Sequence, residues 1–186
     1  VNRLLTASAV LTLAFTNMTA YAGTAEFSTD IPEALQQSIN NQQEEMKQNS
    51  LSSEPHSITA EPNVFSALST GNWWDSAAGP GVLQYQYDPQ PSGVLSGYGS
   101  GFITNINYHW SGTLNGWSDI EVYLCLINAG VCANVSSTPT GSISTSYGTY
   151  SGNDSIQFYF VVDRAPKLRI YNGPSFNYVS ASVEYQ

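Results

Sequence analysis

The clearest hydrophobic pattern in the chain runs from Trp117 to Val135. Ile120, Val122, Leu124 and Leu126 alternate with Asp119, Glu121, Tyr123 and Cys125. Strand side chains alternate with period 2, so the two sets fall on opposite faces. On the return, Val131, Ala133 and Val135 take one face and Cys132 and Asn134 the other. The connection Ile127-Asn128-Ala129-Gly130 has an even number of residues, which sets Cys125 opposite Cys132 on the face away from the core. Gly130 stands where such a loop often needs a positive φ, which glycine adopts without strain. The segment is read as a β-hairpin clamped by a Cys125–Cys132 disulfide. Closing so short a ring is worth about 2–3 kcal/mol.

Further strand patterns recur with turn signals between them. Gly81–Tyr87 ends at Asp88-Pro89, and Gly101–Trp110 carries Phe102, Ile103 and Ile106. Ser142–Tyr150 is a weaker, Ser/Thr-rich strand, whereas Ile156–Val162 is strongly apolar. Leu168–Tyr171 and Tyr178–Tyr185 close the chain, the latter with Val179, Ala181, Val183 and Tyr185 on one face. No helical period of useful length follows Pro62. Residues 63–186 are therefore expected to form one all-β domain, an antiparallel sandwich or small barrel of about seven or eight strands.

The first 62 residues differ. Residues 1–22 have the three parts of a secretory signal: Arg3, an apolar run Leu4–Phe15, and Ala20-Tyr21-Ala22, with cleavage expected before Gly23. That run is too short to span a bilayer. Residues 23–62 form a polar arm with seven acids against Lys47. Asp30-Ile31-Pro32-Glu33 resembles a helix start, and Ile31, Leu35, Ile39 and Met46 give a thin apolar stripe. A short helix over Ile31–Gln48 is expected to bury little, since helices of that length are marginal alone. The arm reads as a flexible spacer, with a docking helix for a partner as the alternative.

Export makes the compartment oxidising, so a disulfide takes precedence over a metal reading of the cysteines. The formal net charge of −9 disfavours nucleic acid. Only 10% of residues are charged, few for an enzyme, and no metal or cofactor is expected. A serine hydrolase would need His109 as base, with Asp75 or Asp119 orienting it. An ordinary strand histidine is the simpler reading. Asp119 and Glu121, two apart on one strand face, are read as solvated carboxylates rather than a glycosidase pair or calcium ligands. Trp73, Trp74, Trp110 and Trp117 could in principle stack on sugars, but a domain this small needs aromatics in its core and at its edges. The cations of the β domain, Arg164, Lys167 and Arg169, crowd into a six-residue stretch; a solvated turn is the simpler reading, with a contact for an acidic partner as the functional alternative.

Four places resemble the FlhE family of small periplasmic proteins associated with flagellar assembly. They are Gly71-Asn72-Trp73-Trp74-Asp75-Ser76 followed by Gly81-Val82-Leu83; Gly101-Phe102-Ile103 leading to His109-Trp110 and Leu114-Asn115-Gly116; Ile120–Cys125 with Cys132; and the ending Val179–Gln186. They cover roughly Gly71–Gln186 in order. The hairpin between the cysteines is longer than the family's, and the acidic arm is an addition. The resemblance implies a periplasmic accessory of the flagellum, linked to regulating export and limiting proton leak. It implies no catalysis and no cofactor. Its mechanism would be binding to a periplasmic or membrane-embedded protein, with Arg164, Lys167, Arg169, Trp73 and Trp74 as contact candidates. A secreted, extracellular glycan-binding or adhesive sandwich is the alternative.

Overall fold

The computed structural model describes residues 25–52, 70–164 and 166–186. The expected signal segment, 1–22, lies outside the described residues, as does the arm from 53 to 62. The elements in chain order are α1 (Glu33–Ser52), β1 (Gly71–Val82), β2 (Gln90–Pro91), β3 (Ile103–Thr113), β4 (Ile120–Leu126), β5 (Val131–Asn134), β6 (Thr140–Ser144), β7 (Ile156–Val162) and β8 (Ser175–Tyr185). The strands form two antiparallel four-stranded sheets, in orders β1-β8-β3-β6 and β2-β7-β4-β5. The architecture is the expected sandwich.

The inward faces meet in one core. Trp110, Phe176 and Val179 come from the first sheet, and Val122, Leu124, Phe158 and Phe160 from the second. Phe160 stacks on Phe176 at 4.2 Å between ring centroids, with Trp110 edge-on to Phe176 at 5.9 Å. Such aromatic pairs add about 0.5–1.5 kcal/mol beyond the area they bury. Rings thus bridge the sheets at the centre.

The hairpin expectation holds in detail. Cys125 pairs with Cys132 across β4 and β5, and the two are joined with Cα atoms 4.0 Å apart. Gly130 has φ 67°. The strand expected at Gly81–Tyr87 is displaced. β1 lies earlier, where Gly71-Asn72-Trp73-Trp74-Asp75-Ser76-Ala77-Ala78 pairs residue by residue with β8. This stretch has little intrinsic strand preference, so pairing with a long neighbour overrides propensity. The register shifts between Ala78 and Gly81, around Pro80, as suits a proline on an edge strand. Leu168–Tyr171 contributes only a bridge between Tyr85 and Arg169, and β6 stops at Ser144, well short of Tyr150.

The arm's helix is the larger surprise. α1 begins at Glu33, with the Pro32 carbonyl accepting from the backbone N–H groups of Leu35 and Gln36. It does not stand apart as a spacer. Leu35 and Ile39 are fully buried against Tyr123, Cys125, Ile127, Cys132, Tyr159 and Val161, the outward face of the second sheet. Gln43 Nε2 donates to the Ile127 carbonyl at 2.6 Å. Ser28 exchanges two backbone hydrogen bonds with Cys132, at 2.9 and 3.0 Å, extending the sheet beyond β5. This blunts an edge that would otherwise be open, while Pro91 in β2 stands at the opposite edge. No helix among the described residues is long and apolar enough to cross a membrane.

Candidate functional site

The three cations singled out in the sequence lie at one end of the sandwich, in the loop that follows β7. Two other segments hold it in place: the chain leaving β1 and the turn between β3 and β4. Ile170 N–H donates to the Gln84 carbonyl at 2.7 Å, and Gln86 N–H to the Leu168 carbonyl at 2.8 Å. From the β3–β4 turn, Asn115 Nδ2 donates to Gly173 O at 2.8 Å and Trp117 Nε1 to Asn172 O at 3.2 Å. That turn is closed by Trp117 N–H on the Leu114 carbonyl, with Asn115 at φ 50° and Gly116 at φ 83°. Two consecutive left-handed residues are the signature of a type I′ turn, which Asn-Gly favours.

The non-glycine residues with positive φ among the described ones are Tyr87, Asn115 and Asn172, and all three sit in these segments. Left-handed backbone is uncommon outside glycine, above all for a bulky side chain such as tyrosine. It persists where the surroundings over-determine it.

Each cation sits near an aromatic ring. Arg164 lies 5.8 Å from the Trp117 ring, Lys167 5.5 Å from Tyr85, and Arg169 5.9 Å from Tyr171. Arg164 also pairs with Asp119, and Lys167 Nζ with Asp88 at 2.6 Å. The hydrogen bond from Arg164 holds the Asp119 carboxyl below the usual carboxylate range. The sequence showed the cations together, but not that two of them have carboxylate partners from other loops.

The tryptophan pair is split by the strand's alternation. Trp73 points into the core and its Nε1 donates to Gly152 O at 2.9 Å, whereas Trp74 is 64% exposed. Trp73 is therefore core rather than contact surface. Trp74 stands in a register row with Ser182, Asn107 and Ser142 on the open face of the first sheet.

The groups considered for catalysis are not brought together. His109 Nδ1 is 2.8 Å from Thr140 Oγ1. Asp75 accepts from the backbone N–H groups of Ser76 and Ser96, and Asp119 is taken by Arg164. Glu121 accepts from the Tyr123 hydroxyl at 2.5 Å. Asp119, Glu121 and Asp163 do line an open cleft of about 440 Å³. Among the described residues, no His, Cys, Asp and Glu cluster is suited to hold a metal ion.

One structural carboxylate escaped the sequence reading. Asp154 is 2% exposed and accepts from the N–H groups of Asn128 and Ala129, at 2.9 and 3.1 Å, fixing the loop of the disulfide hairpin. Burial pushes its carboxyl above the usual range, outweighing those hydrogen bonds. Its only sequence signal was a short acid in a Gly-Asn-Asp-Ser turn before the apolar strand β7.

No protein-family model matches the chain, and no curated protein matches it. Among solved structures, one described as the crystal structure of FLHE matches over 63% of this chain and 97% of its own length. The identity is 20% and the TM-score 0.52. At that identity the likeness is one of architecture. The chain has an FlhE-like fold.

Proposed function

We propose that this protein is a non-enzymatic periplasmic accessory that acts by binding another protein, in association with flagellar assembly or export. The flagellar part follows from the FlhE resemblance. The observation that carries the binding reading is the loop end, where Arg164, Lys167 and Arg169 lie near Trp117, Tyr85 and Tyr171 on interlocked, backbone-strained segments. Arginine, tyrosine and tryptophan are common anchors of protein interfaces. Capture of partners from a periplasmic extract, identified by mass spectrometry, tests the reading. Flagellar basal-body or export components should be enriched, and the triple substitution of the cations by alanine should lower their recovery. Unchanged recovery would remove this end as the contact site.

A second reading is a glycan-binding or adhesive module. Trp74, 64% exposed among short hydroxyl and amide side chains, favours it. Retention on a glycan array, lost in Trp74→Ala, would support that reading over the first.

A further inference from the structure

We propose that the loop end of the sandwich is an interfacial surface that rests on an anionic lipid bilayer, entering it by Leu168 and Tyr171 of the loop that carries Lys167 and Arg169. The proposal rests on reading this end as the contact surface, and names what else it touches beside any protein partner.

The distribution of exposed apolar groups comes first. Among the described residues, the exposed large aliphatic side chains are Val82 at 55%, Leu114 at 43% and Leu168 at 54%. All three lie on the segments that form this end, although they are far apart in sequence. Tyr171, in the same loop as Leu168, is 81% exposed. Exposed rings also occur elsewhere, at Trp74, Tyr98, Phe102 and Tyr147, but among the described residues the exposed large aliphatic side chains are confined to this end, and such a concentration marks an interaction surface. The loops carrying them are tied to each other by Asn115 and Trp117, so these side chains are presented rather than left to collapse onto the protein.

Charge then bears on which direction an anionic surface can approach from. The chain carries −9 overall, yet every cation of the β domain is here. α1 carries Glu33, Glu44 and Glu45, and the open sheet face carries Glu184. An anionic surface is repelled from those directions and admitted at this end. Three carboxylates also lie here: Asp88 paired with Lys167, Asp119 paired with Arg164, and Asp163. The end is therefore neutral rather than basic, and charge alone does not bind it. Among the described residues no carboxylate pairs with Arg169, which stays over the Tyr171 ring. Aliphatic tips flanked by Tyr, Trp, Arg and Lys have the composition of the bilayer–water interface, where amphipathic rings and cations meet headgroups and aliphatic tips reach the acyl boundary.

The test is co-sedimentation of the purified protein with vesicles of phosphatidylglycerol and phosphatidylcholine, and with phosphatidylcholine alone. Binding is expected to the mixed vesicles, weakening as salt is raised. The double variant Leu168→Ser/Tyr171→Ser should lower the partition coefficient by roughly tenfold or more, from the apolar area it removes. Lys167→Glu/Arg169→Glu, which changes only exposed groups, should abolish the preference for the anionic vesicles. Trp74→Ser, on the open sheet face, should bind as the parent does, and circular dichroism checks that each variant is folded. No sedimentation with either vesicle overturns the proposal, as does equal loss in Trp74→Ser or no loss in the loop variants. Capture of an acidic protein through the three cations without vesicle binding also overturns it, while leaving the function proposed above intact. Vesicle binding with no protein captured would do the reverse.

Discussion

On β7 the outward positions Tyr159 and Val161 are buried because α1 lies across them, and Gln157 beside them is buried between the Ser92 carbonyl and the Tyr159 hydroxyl. On the other sheet the outward row Trp74, Ser182, Asn107 and Ser142 meets water, although β1, β3 and β8 are each longer than β7. The same antiparallel sandwich thus treats its two outer faces oppositely. An antiparallel sheet can leave one face solvated if that face is polar. A sheet with tyrosine, valine and a disulfide outward cannot, and needs a third layer. The helix supplies that layer from a segment whose composition otherwise suits a solvated spacer. The sheet makes α1 stable, and α1 keeps the disulfide and two tyrosines out of water. Burial accordingly pushes the Tyr123 and Tyr159 hydroxyls well above their ordinary range.

The strongest way to break this comparison is to charge both outer faces. Ile39→Asp puts an unpaired carboxylate under α1 and is expected to cost about 3–5 kcal/mol. Ser182→Asp, on the open sheet, should stay within about 0.5 kcal/mol. Urea denaturation of both variants decides it, and equal losses would mean that α1 does not seal its face. A second pair sharpens the contrast within one strand. Trp73→Ala should cost about 3–5 kcal/mol through lost core volume, and Trp74→Ala less than about 1 kcal/mol. Similar melting-temperature shifts would refute the inward and outward assignment.

Removing the disulfide as Cys125→Ala/Cys132→Ala should lower stability by about 2–4 kcal/mol. Because the bridge lies under α1, its reduction by dithiothreitol should be faster in Ile39→Ala than in the parent, as followed by thiol alkylation. Equal rates would show that the helix gives no protection.

The smallest effects are the pH dependences, and they have opposite signs. Asp119 has a depressed carboxyl, so its contribution is present above the ordinary carboxylate range and is lost as pH falls through the folded value. Asp154 has a raised carboxyl, so the folded state holds its proton more tightly than the unfolded chain. Its contribution is full below the unfolded value and declines as pH rises through the folded one. Relative to the parent, Asp119→Asn should flatten the acid-side loss, and Asp154→Asn should remove a decline on the rising side. Thermal melts across mildly acidic pH distinguish the two.

Much of the sandwich was legible because its signals are local. The alternation in β4 and β8, and the even loop between the cysteines, needed no knowledge of neighbours. β7 carried a further signal that went unused. An antiparallel strand without polar alternation, Ile-Gln-Phe-Tyr-Phe-Val-Val, implies cover on both faces, and the thin stripe of Ile31, Leu35 and Ile39 matches it. The candidate site was half legible. The basic cluster is contiguous in sequence, whereas Asp88, Asp119 and the aliphatic tips reach it from distant loops.

From its own residues the chain determined the hairpin, its disulfide, the apolar strands and the all-β class, since period and loop parity act over neighbouring positions. Only the tertiary structure decided that α1 joins the sandwich, that β1 is a strand, that Trp73 and Trp74 part company, and that three loops make one end. Each of those outcomes depends on a surface supplied by residues far along the chain, and its energy exists only once that surface has formed.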